Sequence, residues 1–423
     1  MKRTRLLSGL ALGTAAVLTL AGCSTGASGD DTDGVVTLDF FMDKAAWEPT
    51  FDAMNEVSEK DEQMTLEVIQ TPGSDAGAYD SFVKQAFQTK DVPDLFTWHT
   101  GESLGELVER DLVAETTDIW TEAEKEGLVP EGLKDNYTFD GKQYCVPLNV
   151  VYWAMYYNKH VFEEHGIEVP TTFEELMDAA VTLKAAGVTP FHQMNVFFEF
   201  VWFMALAAGE DPEAYAALGT DDGSFLDPSI VESTEQWKQM MDDGWFIDPG
   251  VQTDPQTLLS TGEVAMAYFG TFLTGQLTAI DQVAGEDYGI FTFPNMNADV
   301  EDTQMVLETG PLCVGKGADN EKAALEYSKW WLGDDAQTVW TETRGDVSFN
   351  PNAPLADPEL QNLVDTVNGG GYQIQPRFME MVPLPVYNRS TEVFGEFVSN
   401  NGDPDAVLEE LQKENEAYWS EQD

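Results

Sequence analysis

The chain has 423 residues, with 76 acidic side chains against 21 basic ones and a net charge of −55. Such a surface repels polyphosphates, which argues against nucleic acid as a partner. An apolar content of 43% excludes a disordered chain, and this length exceeds what one ordinary core holds, so two lobes are expected.

Lys2, Arg3 and Arg5 open the chain, Leu6 to Leu20 is apolar, and Leu20-Ala21-Gly22-Cys23 follows. A basic start, an apolar stretch too short to span a bilayer, and small residues together make a secretory signal. A cysteine directly behind the small pair resembles the lipobox of bacterial lipoproteins. The resemblance implies removal of residues 1–22, a lipid on Cys23, and tethering at the extracellular face of the bacterial cell membrane. Ser24 to Gly34 has no large apolar residue, so 23–34 reads as a flexible tether. No later run of about 18 apolar residues predicts a membrane span.

A regular alternation then begins. Val35–Phe41 reads as a strand, Glu48–Glu59 as a helix and Met64–Ile69 as a strand. Ala78–Thr89 reads as a helix, Asp94–Trp98 as a short buried strand and Glu102–Arg110 as a helix. This spacing predicts βα units on a largely parallel sheet and an α/β class. Asp140-Gly141 predicts a hairpin between Tyr137–Phe139 and Gln143–Val146. Pro147 follows, then a strand over Val150–Tyr157.

Helical signals dominate to about residue 262. After Pro170, Thr171 and Glu174 stand at capping-box spacing. Leu176, Ala179, Ala180 and Leu183 repeat at helical period, and Gly187 ends the helix. Strands are expected at Glu263–Tyr268, Tyr288–Phe293 and Met305–Val314. Helices are expected at Thr271–Ile280, Lys322–Leu332 and Asp405–Trp419.

Asp140-Gly141-Lys142, the strand closing on Tyr157-Asn158-Lys159, and Pro170-Thr171-Thr172-Phe173-Glu174-Glu175-Leu176 resemble the hinge-crossing region of the sugar-binding proteins of ABC importers, the family of maltose-binding protein. Pro93-Asp94-Leu95-Phe96, Gly262 through Gly270, and Gly310 to Trp331 agree in order and spacing. The resemblance implies a two-lobed, periplasmic-binding-protein-like fold with a ligand cleft between lobes joined by two or three strands. It places 35–147 plus 269–312 in lobe 1 and 148–268 plus 313–423 in lobe 2. It implies a monomer that captures a sugar, di- or oligosaccharide favoured, for the transmembrane subunits of an ABC permease, with no cofactor, no metal and no catalysis.

Sugars present hydroxyls in fixed directions and flat C–H faces, so a site needs directional polar groups and aromatic rings. The family places hydroxyl-binding residues after the first strand, which points to Asp43, with Trp47 as a platform. Trp98 and His99 follow the third strand, and Asn149 and Tyr152 flank the first crossing. Alternation sets Tyr152 and Trp153 on opposite faces. Glu199 and Trp202 in the aromatic run from Phe197, Phe272 after the second crossing, and Tyr387 complete the expected ligand-binding set. Arg344 and Asp346 are further candidates.

The same alignment sets Cys145 and Cys313 in strands beside two crossings, either as a disulfide or as two buried thiols. The sequence holds no P-loop, Gly-x-Ser-x-Gly elbow or His-Glu-x-x-His. Two alternatives stay open: a lipid-anchored carbohydrate hydrolase, since two of 76 acids could meet across a cleft, and a binding protein for a cationic solute.

Overall fold

The computed structural model describes residues 34–70, 76–89, 91–130 and 132–422. The expected signal, Cys23 and the tether up to residue 33 lie outside them. The strands are β1 (Val36–Met42), β2 (Met64–Gln70), β3 (Leu95–Thr97), β4 (Thr138–Phe139), β5 (Lys142–Gln143) and β6 (Val146–Asn158), then β7 (Thr189–Phe191), β8 (Val264–Gly270), β9 (Tyr288–Phe291), β10 (Thr303–Val314) and β11 (Tyr372–Pro376). The three opening strands form within two residues of expectation, separated by helices Glu48–Glu62 and Ala76–Ala86. The hairpin β4–β5 turns on Asp140 and Gly141, both at positive φ, which is the backbone a tight two-residue turn requires.

Strand order in the large sheet is β2-β1-β3-β10-β6-β8-β7, with β11 added on β10 and β9 on β6. β1 pairs parallel with β2 and β3, while β10 runs antiparallel to β3 and β6. Two cores flank this arrangement. The first gathers Leu38, Phe40, Leu66, Leu95, Trp120 and Leu312; the second gathers Met155, Phe191, Trp202, Phe203, Trp237 and Phe394. β6 serves both, with Val146, Leu148 and Val150 in the first core and Trp153, Met155 and Tyr157 in the second. The molecule thus has two lobes joined by strands.

Some segments pack elsewhere than expected. Ala324, Tyr327, Trp331 and Trp340, expected in lobe 2, lie in the first core, because helices Glu321–Trp331 and Asp334–Arg344 fold back over β1 and the helix Glu48–Glu62. Phe291 and Phe293, expected in lobe 1, lie in the second core because β9 pairs with the far half of β6. The capping box sits one residue later, at Thr172 and Glu175. The duplicated Thr-Thr and Glu-Glu offer two frames, and Thr171 joins the second by donating to the same Glu175 carboxylate.

Strand β6 runs unbroken through Pro147, although a break was expected there. Pro147 stands opposite Pro311, at a register shift between Gly310 and Pro311. Proline has no N–H to donate, so neither residue can offer the other a ladder bond, and the bulge accommodates both.

Cys145 and Cys313 form a disulfide across 168 residues of chain. Val146 pairs with Leu312, which brings the two cysteines side by side, and both are fully buried. Thr116 Oγ1 and Trp120 Nε1 both donate to the Cys145 carbonyl, at 2.7 and 2.9 Å. Closing so long a loop restricts the unfolded chain. Replacing both cysteines by alanine is expected to cost about 2–4 kcal/mol, read as a lower urea midpoint. The unreduced native chain should show no titratable thiol at these two positions.

Candidate ligand cleft

The site is built where strands end. β1 and β3 are parallel, with Phe41 beside Phe96, so their carboxyl ends emerge together, the usual place for a ligand in an open α/β sheet. Asp43 and Lys44 leave β1 there, and Trp98 and His99 leave β3. Asn149 on β6 and Glu308 to Gly310 on β10 form the floor, with Asn149 opposite Gly310. Across from them, Arg377, Met379 and Glu380 come from the turn after β11, which the second core holds through Phe378. These walls enclose about 60 Å³. A smaller hollow adjoins it between His99 and Thr100 on one side and Met379, Val382 and Tyr387 on the other.

Charge is concentrated on the second wall. Arg377 donates from Nη1 to Glu308 at 2.7 Å and from Nη2 to Glu380 at 3.1 Å, and all three residues are buried. Glu380 Oε2 also accepts from the Thr309 main-chain N–H at 3.2 Å. Burial, with repulsion from Glu308, outweighs the pull of Arg377 and pushes the Glu380 carboxyl up. The lobes touch at this turn. Gly101 has φ +65°, and a Cβ there would stand 2.7 Å from the Glu380 carbonyl oxygen, so only glycine fits. On the first wall His99 Nε2 lies 3.1 Å from Asp80 Oδ1, and Trp98 Nε1 donates to Ser103 O at 2.8 Å.

Of the ten expected ligand residues, the structure brings Asp43, Trp98, His99 and Asn149 into the cleft and Tyr387 into the adjoining hollow. It sets the other five apart. Trp47 has Lys44 and Arg344 over its ring, at 5.0 and 4.8 Å, and Trp340 against its edge. Tyr152 packs on Met305, Leu363 and Val367. Trp202 is core: its Nε1 donates to His192 O at 2.9 Å. Phe272 sits among Trp153, Phe198 and Phe269. Glu199 is 2% exposed. Arg344 stacks on Trp47 and Trp340, and burial pushes the Asp346 carboxyl up to about 7; neither lines the cleft. Glu308, Arg377 and Glu380 were not anticipated, although Glu308 is a charge inside the apolar strand Met305–Val314 and Arg377 and Glu380 flank buried Phe378.

Residues 52–366 match the profile of the family described as bacterial extracellular solute-binding protein. The chain belongs to that family. This solute-binding protein is 24% identical to a Brucella abortus protein named as a binding protein, over 313 residues, covering 70% of this chain and 73% of the relative. It is 27% identical to the diacetylchitobiose binding protein of Streptomyces coelicolor over 213 residues, 48% of each chain. Its fold superposes on a solved chitin oligosaccharide binding protein with a TM-score of 0.77 at 18% identity, over 92% of this chain and all of that one. The family binds solutes without converting them, and the hydrolase alternative is set aside.

Glu199 gives this protein a pH signature. Its Oε2 has no hydrogen-bond partner among the described residues, and burial pushes the carboxyl up to about 7. The folded state therefore holds this proton more tightly than the unfolded chain. The associated stability is present in full below the ordinary carboxyl range and is lost as pH rises through about 7. Glu199→Gln is expected to raise unfolding stability at pH 8 by about 1–3 kcal/mol while changing little at pH 4, measured by urea denaturation at both values.

Proposed function

We propose that this solute-binding protein captures an extracellular sugar, a di- or oligosaccharide favoured, between its two lobes and delivers it to an ABC-type permease while a lipid on Cys23 keeps it at the membrane. The observation that carries this reading is the polar lining of the cleft. Asp43 and Glu308 can accept, Lys44 and Arg377 can donate, and the Asn149 amide and His99 ring can do both. Alternating donors and acceptors at fixed positions suit a ring of neutral hydroxyls. The names of the relatives, diacetylchitobiose and chitin oligosaccharide binding proteins, support the same solute class.

The volume supports a moving cleft. About 60 Å³ is far below the roughly 300–1,000 Å³ of ordinary ligand pockets, so a sugar enters only as the walls separate. The paired prolines at positions 147 and 311, where the ladder is weakest, are a natural place for that rotation. A closed, loaded form then differs in shape from the empty one, which is what a permease needs in order to select it.

Calorimetry against diacetylchitobiose, raffinose and a wider saccharide panel tests the solute, and product analysis tests for turnover. Binding without turnover is expected, with a smaller radius of gyration on saturation. Asp43→Ala should weaken the best sugar roughly ten- to hundredfold. Silence across every saccharide would overturn the sugar reading. Three carboxylates against two cations in the cleft give the cationic solute its one supporting observation. Spermidine binding that collapses with added salt would favour it instead.

A further inference from the structure

Asp43 stands just past the end of β1, where no ladder bond fixes the chain. Its side chain is instead held from two sides. Lys44 Nζ donates to Oδ2 at 3.1 Å and more weakly to Oδ1 at 3.4 Å, while Thr97 Oγ1 donates to Oδ1 at 3.0 Å. Lys44 is a long, solvent-washed stem with 40% of its side chain exposed, and such exposed pairs contribute little. Thr97 is different. It is buried on β3, a β-branched residue with restricted χ1.

Behind Thr97 lies Tyr79, also buried, on the helix Ala76–Ala86. Its Oη is 2.9 Å from Thr97 Oγ1 and donates to the main-chain oxygens of Phe41 and Thr97, at 2.8 and 3.0 Å. The Thr97 hydroxyl has one proton and two oxygens within reach. A carboxylate is the stronger acceptor, so that proton goes to Asp43, and the phenol proton serves the two carbonyls. Tyr79 thereby ties the last residues of β1 to those of β3, the two strand ends from which Asp43 and Thr97 project.

A carboxylate has about four acceptor positions. Thr97 and Lys44 occupy Oδ1, and Lys44 occupies one position on Oδ2. The main-chain N–H of Asp43 also bonds the carboxylate; of the two oxygens, Oδ2 meets Lys44 alone among the side chains and is the one left more open to a donor from the cleft. We infer that Thr97, backed by Tyr79, is the positioning residue that aims Asp43 Oδ2 at a donor group of the bound solute. Burial raises the Asp43 carboxyl, but the Lys44 charge and hydrogen bonds from Lys44, Thr97 and its own main-chain N–H outweigh it and leave the group below the ordinary carboxylate range, which agrees with this arrangement. The other charged groups around the cleft are His99 with its partner Asp80, Glu308 on β10, and Arg377 and Glu380 across from it.

The identity of the donor as a sugar hydroxyl rests on the function proposed above; the aiming of Asp43 does not. The test therefore has two readouts on the intact protein. Thr97→Val removes the hydroxyl at nearly constant shape, and Thr97→Ser restores it. Carboxyl ¹³C titration, with the Asp43 signal identified by its loss in Asp43→Asn, is expected to show Asp43 titrating at higher pH in Thr97→Val and as wild type in Thr97→Ser. Calorimetry with diacetylchitobiose and raffinose is expected to show roughly tenfold weaker binding in Thr97→Val, with the acid-side loss of affinity starting at higher pH, and recovery in Thr97→Ser. Tyr79→Phe should act in the same direction but less, and add nothing to Thr97→Val, since both act through one carboxylate. Unchanged Asp43 titration in Thr97→Val overturns the inference. If neither sugar binds the wild type, the sugar reading fails while the carboxyl titration still decides the role of Thr97.

Discussion

One antiparallel ladder, between β6 and β10, belongs to both lobes at once. Thirteen residues of β6 and twelve of β10 run from one hydrophobic core to the other, and much else in the molecule is placed by them. They supply the cleft floor through Asn149, Glu308 and Thr309. They set the separation between the polar ends of β1 and β3 and the turn that carries Arg377 and Glu380. They also contain the one step, Pro147 against Pro311, where two facing residues lack the N–H that the rest of the ladder uses. A cleft at the boundary between cores follows from this shared ladder, because each core buries its own apolar face and leaves the polar strand ends opposed.

The buried triad of Arg377, Glu308 and Glu380 fixes geometry more than it adds stability. Taking the Arg377–Glu308 ion pair from water costs several kcal/mol per charge, and the attraction between them only roughly repays it, while burial and Glu308 push the Glu380 carboxyl towards its neutral form. The value of the triad lies in fixing two carboxyl groups and a guanidinium at set directions in the cleft. Removing Arg377 would take the guanidinium from both Glu308 and Glu380 and leave Glu380 its Thr309 main-chain donor, so the charge balance of the triad depends on Arg377. The strong acidity of the chain plays no part in that geometry. Most of its described carboxylates are exposed, on helices and loops alike, where they serve solubility.

Much of the fold was legible in the sequence, and the reasons differ by element. The opening βα units declare themselves by period, and the hairpin by Asp140-Gly141. The placement of Asp43, Trp98, His99 and Asn149 around the cleft was readable because strand carboxyl ends and crossing strands are where α/β folds open their clefts. Trp202 and Phe272 misled for a physical reason: an aromatic residue looks the same in a sequence whether it faces a sugar or a core, and here large rings pack against one another in the second lobe. Arg377 and Glu380 were invisible because one caps and the other sits in a four-residue helix too short for any periodicity. Their partner Glu308 lies 69 residues away from Arg377 in sequence. The helix Glu321–Trp331 was assigned to the other lobe because chain order does not say which face a returning segment covers.

The disulfide makes the two lobes mechanically unequal. Cys145 precedes Pro147 and Cys313 follows Pro311, so the bridge clamps both crossing strands on the first-core side of the weak step. Under the rotation proposed above, Asp43, Trp98 and His99 belong to the lobe whose two crossing strands are cross-linked. An oxidising exterior, where such a bond persists, would then do more than protect the chain: it would hold together one side of the bearing for that proposed swing.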